Sequence, residues 1–240
     1  MQQYIKRLKD KYDFNITKRK VQTPIGTLDV KTVSEYEEFS KQTALLLTDR
    51  SDLIDLLKSI DVKIVDLIKN LHVYEFLQMI DKSEATVFGL NILVDIYRSS
   101  FNYLFGEDVL FKIKDTSEYD EIILLIKWAH GLPVEMENPN PVIARLDKIK
   151  KKMNKGGGSI DFDTMYSSVW IAIGKEPCDI TLYQFTELFY RLSMMKEYDT
   201  TTLFKTVDQK GDIKIQNWYD NRIKDTKKYV DINKIKNQTF

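Results

Sequence analysis

Only one cysteine, Cys178, occurs in the 240 residues. No internal disulfide can staple the fold, and a reducing compartment suits the chain. Prolines number five and glycines nine. Both residue types interrupt helices, so their scarcity favours long helices over a strand-and-turn architecture. The two histidines, His72 and His130, have no cysteine, histidine or carboxylate at zinc-ligand spacing. Neither a metal site nor a cofactor is expected. No charge of one sign dominates, since 36 Lys and Arg balance 36 Asp and Glu. The molecule as a whole therefore has no bulk attraction for nucleic acid or an anionic membrane. The opening MQQYIKRLKDKYD lacks an apolar stretch after its charges, so a secretory signal is not expected. The most apolar run, residues 122–126, is far too short to cross a bilayer and ends at Lys127. A cytosolic protein is the expectation.

What is present is a chain able to bury a core, with 43% hydrophobic residues and 12% aromatics. The only alternation of period two lies near the start, in residues 14–16, 21–23 and 27–33. Between the last two runs sits Pro24–Ile25–Gly26, whose proline and glycine suit a tight turn. A short hairpin between about residues 21 and 33 follows. Two strands alone are marginal, so it must lie on something else. Helical periodicity then takes over. Ser34 with Glu37 reads as a capping box; Ser117 with Asp120 opens a helix that Gly131 and Pro133 stop. A long helix is expected through Val87, Leu90, Val94, Tyr97, Phe101 and Leu104, ending at Gly106. Asn140 and Pro141 start a helix that ends in a lysine-rich run before Gly156–Gly157–Gly158. Three consecutive glycines make this the best candidate boundary. Beyond it, one helix closes at Gly174. A second capping box, Thr181 with Gln184, opens an aromatic helix carrying Leu182, Phe185, Leu188, Phe189, Leu192 and Met195 on one face. A shorter helical piece, residues 201–207, precedes a turn.

The expected fold is mainly α, a helical bundle-like protein with a small N-terminal β-hairpin. Its divisions are a hairpin segment (residues 1–34), a helical domain (35–155), a C-terminal helical subdomain (156–220) and a charged arm (221–240).

No catalytic grouping emerges. Cys178 follows Pro177 without a local base, whereas a nucleophile needs a base and an oxyanion site brought together. Gly156–Gly158 with Ser159 lacks the lysine of a phosphate loop and follows a basic helix rather than a strand. Asp208 to Asp212 lacks the later glutamate of a calcium loop. The remaining candidates are surfaces for partners. Lys150, Lys151 and Lys152, within a lysine cluster over residues 148–155, either form a solvated helix end or meet an acidic partner or phosphate backbone. Tyr183 and Tyr190 lie off the main apolar stripe of the aromatic helix, and a tyrosine suits an interface because its ring is apolar while its hydroxyl stays wet.

Residues 162–223 carry FDTMYSSVWIAIGKEPCDITLYQFTELFYRL, then YDTTTLFKTV and IQNWYDNRI. This pattern resembles the C-terminal parts of tail-morphogenesis proteins of tailed bacteriophages, including tail-assembly chaperones and baseplate hub proteins. The shared plan is a helix, a turn, a Thr-Leu-Tyr-Gln-Phe start to an aromatic helix, a short helix and a Trp-bearing segment. Here those are Trp170, Thr181, Leu182, Tyr183, Gln184, Phe185 and Trp218. The resemblance covers about a quarter of the chain, with a Thr-Pro-Ile-Gly turn at Thr23 to Gly26 as a weaker echo. It implies a non-enzymatic structural or assembly protein of the tail, acting at the baseplate or hub by docking to hub, tube or tape-measure subunits or to its own copies. A chaperone not retained in the virion, or a nucleic-acid adaptor using the lysine cluster, are the alternatives. Location in the host cytoplasm during assembly, or in the virion tail, follows from it.

Overall fold

A computed structural model describes residues 2–48, 50–58, 71–82, 90–132 and 160–208. Among these, eight α-helices accompany one two-stranded antiparallel sheet. The fold is thus mainly α with a small N-terminal hairpin. Lys150, Lys151, Lys152, the glycine triplet, Trp218 and the expected arm lie outside the described residues.

The first helix, α1 (Gln2–Tyr12), is absent from the sequence-based expectation. Its signal is the spacing of Tyr4, Leu8 and Tyr12, and it ends at Asp13, which has φ 45°. Aspartate tolerates this left-handed conformation better than most residues. The run at residues 14–16 forms no strand. Asn15 instead accepts from the Thr17 backbone N–H at 3.0 Å, a side-chain turn that competes with extended pairing.

The hairpin comprises β1 (Lys20–Thr23) and β2 (Gly26–Asp29), with Val21 opposite Leu28 and Thr23 opposite Gly26. Only Pro24 and Ile25 connect the strands. Gly26 (φ 154°) leaves space that a Cβ would contest with Glu107 Oε1 at 3.3 Å. Val21, Leu28 and Val30 are buried on one face, and β2 packs on α5 (Asn91–Phe105). The expectation that the hairpin rests on other elements is met by that helix.

Helices α2 (Tyr36–Thr43) and α4 (Val73–Lys82) also pack on α5, and α4 touches α6 (Thr116–Ala129). Helix α3 spans Arg50–Lys58. The shared core includes Tyr74, Phe76, Leu77, Tyr97, Phe101, Leu104 and Tyr119. Helix α5 ends at Gly106 in the left-handed region, as the sequence indicates.

Two start signals lie two residues earlier than the sequence suggests. Glu35 accepts from the Thr32 N–H at 2.9 Å, so Thr32 rather than Ser34 opens the 3-10 turn leading into α2. Glu37 is instead engaged by Lys41 at 2.7 Å, one helical turn on. Likewise Asp115 caps α6 by accepting from the Glu118 N–H at 2.8 Å, while Asp120 pairs with His72.

The chain divides into two compact units. One contains Tyr12–Glu135 and Ile173–Glu187; the other contains Met1–Lys11, Met136–Ala172 and Leu188–Phe240. In the first, the hairpin-bearing unit, residues after β2 pair with a distant segment. Thr32 bridges Thr181; the Val33 N–H donates to Ile180 O at 2.9 Å, and the Leu182 N–H donates to Lys31 O at 2.9 Å. Helix α7 (Phe162–Ile173) closes at Gly174 with φ 70°. Helix α8 (Leu182–Lys205) is continuous, so residues 201–205 prolong it rather than forming a separate piece. No proline or glycine intervenes to break it.

The Thr181 cap is present as read. Its hydroxyl accepts from the Gln184 N–H at 3.2 Å, and Gln184 Oε1 accepts from the Thr181 N–H at 2.9 Å. Thr181→Val, which keeps the shape and removes the acceptor, is expected to cost about 1–2 kcal/mol in urea unfolding. An unchanged midpoint would show that this cap contributes nothing.

Candidate functional site

The tyrosines assigned to a partner surface separate in the structure. Tyr183 is buried, 7% exposed, and forms a triangle with Phe14 and Trp128 at centroid distances of 5.3 and 5.6 Å. Phe14 and Trp128 are themselves edge-on at 4.5 Å. Edge-to-face aromatic packing fills a core, so this correction places Tyr183 inside rather than on a docking face. Tyr190 is half-buried, with the Arg191 guanidinium 5.8 Å from its ring. Further along α8, Met194 is the buried methionine, while Met195, expected on the apolar face, is 43% exposed.

Exposed apolar surface gathers on α7. Eight of the twelve residues of α7 are apolar, yet Val169 alone of them is buried. Phe162, Tyr166 and Trp170 form a ladder at successive turns, with centroids 6.2 and 6.0 Å apart. Trp170 is 47% and Ile171 83% exposed. In the same unit, Leu203, Phe204 and Val207 at the end of α8 are each more than half exposed. Exposed apolar surface of this kind is a candidate for contacts.

The polar clusters are engaged internally. His72 accepts from the Tyr74 N–H through Nδ1 at 3.1 Å, and its Nε2 meets Asp120 Oδ1 at 3.0 Å. With both nitrogens in use, this pair cannot serve as a base without breaking a contact. His130 is buried and stacks on Phe39 at 4.4 Å. Its Nδ1 lies 2.8 Å from Ile126 O and its Nε2 3.2 Å from the Lys31 N–H, so it donates through Nδ1 and accepts through Nε2. Burial chiefly pushes its pKa down to about 4.

Lys31, also buried, reaches Asp29 at 2.8 Å, Glu35 at 3.8 Å and the face of Tyr103 at 4.4 Å. A recess of about 300 Å³ beside it is lined by Lys20, Thr27, Asp29, Tyr103 and Gly106. Burial, reinforced by the carboxylates of Glu35, Glu38 and Asp29, pushes the Tyr103 hydroxyl up to about 12. Lys31 is thus held inside the fold by ion pairs to Asp29 and Glu35. Among the described residues no three His, Cys, Asp or Glu side chains converge as metal ligands. No helix among them is long and apolar enough to cross a membrane.

No solved structure matches the chain. The family model described as the YomV second domain matches residues 152–222, which include α7 and α8. Over 219 residues, 86% of each chain, the sequence is 24% identical to the SPbeta prophage-derived uncharacterized protein YomV of Bacillus subtilis (strain 168). The chain is thus similar, over most of its length, to a prophage-derived protein.

Proposed function

We propose that this is a non-enzymatic bacteriophage protein that builds or forms part of the tail, acting at the baseplate or hub by docking to other tail subunits. The observation that carries the docking is α7, an apolar helix with a single buried residue and an isoleucine 83% exposed. A helix of this composition is ordinarily covered on one side, and a partner subunit would supply the cover. Support for a phage origin comes from the prophage-derived relative. The tail assignment rests on the resemblance of residues 162–223 to tail-morphogenesis proteins.

Ile171→Asp tests the reading. Because the side chain is exposed, thermal stability should change by no more than about 0.5 kcal/mol. Binding to purified hub, tube or tape-measure subunits should weaken about tenfold or more, as for a truncated interface anchor. Unchanged binding to every such subunit, or no binding by the unmodified protein, would overturn the proposal. Mass spectrometry of purified virions separates a retained tail component from a chaperone that leaves.

A further inference from the structure

His130 joins elements far apart in sequence. Its Nε2 accepts from the Lys31 N–H, its Nδ1 donates to Ile126 O on α6, and its ring lies on Phe39 of α2. The Lys31 carbonyl accepts in turn from the Leu182 N–H. One residue, Lys31, is therefore clamped by the imidazole on its amide side and by the start of α8 on its carbonyl side. The next residues continue the zipper through Val33 to Ile180 and Ser34 to Cys178. Beside His130, Gly131 lies against Thr186 of the same α8 turn.

We propose that His130 is an acid-released latch, holding the backbone of residues 31–34 against residues 178–182 only while its imidazole is neutral. A protonated imidazole donates from both nitrogens and cannot accept from the Lys31 N–H. Two donors then face each other at 3.2 Å inside a buried site. Relief requires Lys31 to move, and its carbonyl bond to Leu182 moves with it. From the end of the hairpin, Lys31 opposes the cation, while the Asp29 backbone carbonyl and the Asp29 carboxylate favour it, by less than burial disfavours it. Glu35, from the 3-10 turn, acts one step away through Lys31. Helix α2 presents the Phe39 ring, and α6 presents the Ile126 carbonyl.

The direction follows from linkage. In the closed state the imidazole titrates near 4 and in an opened, solvated state near its ordinary 6.5. Stabilisation by the neutral ring is complete above pH 6.5 and is lost as pH falls from 6.5 through about 4. Across that window, hydrogen-exchange protection of the Leu182 and Val33 amides should fall by up to about 300-fold, a factor of about ten for each pH step between the closed and open titrations.

The test is amide exchange by NMR on the full chain, corrected for intrinsic pH effects, with the imidazole Cε1–H shift followed in parallel. The expected result is selective loss of protection at Val33 and Leu182, tracking the His130 titration, while Phe101 and Leu104 of α5 keep theirs. His130→Gln, which accepts and donates without titrating, should abolish the selective loss. Parallel loss at α5, or the same profile in His130→Gln, would overturn the latch. Should that variant fail to fold, the unmodified protein decides alone: if the imidazole titration and the opening do not coincide, the latch is wrong.

Discussion

Gly131→Ala is expected to destabilise the hairpin-bearing unit by about 3–4 kcal/mol, combining left-handed backbone strain with overpacking. The glycine closes α6 in a Schellman turn: the Leu132 N–H donates to Lys127 O at 2.9 Å and the Gly131 N–H to Trp128 O at 3.0 Å. That geometry holds φ at 69°, where a side chain is strained. A Cβ there would lie 2.5 Å from Thr186 Oγ1, 2.7 Å from Thr186 Cβ and 3.1 Å from Leu182 O. The obstacles are a branched carbon and a backbone oxygen, so the first turn of α8 must shift. Gly106 supplies the control. Its φ of 73° imposes similar strain, but a Cβ meets no heavy atom within 4 Å among the described residues. Gly106→Ala should therefore cost only about 1–2 kcal/mol, the backbone share. Urea unfolding of both variants isolates the clash at Thr186. Equal losses would show that α8 does not press on this turn.

Phe185→Ala should cost about 3–5 kcal/mol, the usual consequence of emptying a buried phenylalanine site. The side chain is 1% exposed and sits one turn into α8, in the same unit as the aromatic triangle around Tyr183. Tyr190→Ala removes a half-buried ring and should cost distinctly less, since the loss scales with the area returned to water. Thermal unfolding compares them. If Tyr190→Ala proves as damaging as Phe185→Ala, Tyr190 is core, and the search for an interface narrows to Trp170, Ile171 and the end of α8.

The site was less legible than the fold. Tyr183 lies off the apolar stripe of its helix, which suggested an exposed ring, but Phe14 and Trp128 come from elsewhere in the chain to enclose it. Conversely, Trp170 is large and aromatic, yet it is 47% exposed. Side-chain chemistry predicts what a residue prefers; which side chains obtain it depends on how many apolar faces the fold has neighbours for.

The sequence by itself determined the features that act over a few residues. The helical class, the hairpin, the Thr181 cap and the left-handed stops at Gly106, Gly131 and Gly174 all arise from local chemistry. Propensity, a side-chain oxygen near a helix start, and the absence of a Cβ operate within one turn, so their signals stay local. Only the tertiary structure decided which distant pieces meet. The Arg19 guanidinium reaches Asp179 O across 160 positions, and Lys31 selects Leu182 and His130 as backbone and side-chain partners. Such pairings leave no period in the sequence. They depend on which of many compatible backbone groups is brought close by packing, and backbone groups are chemically alike at nearly every residue.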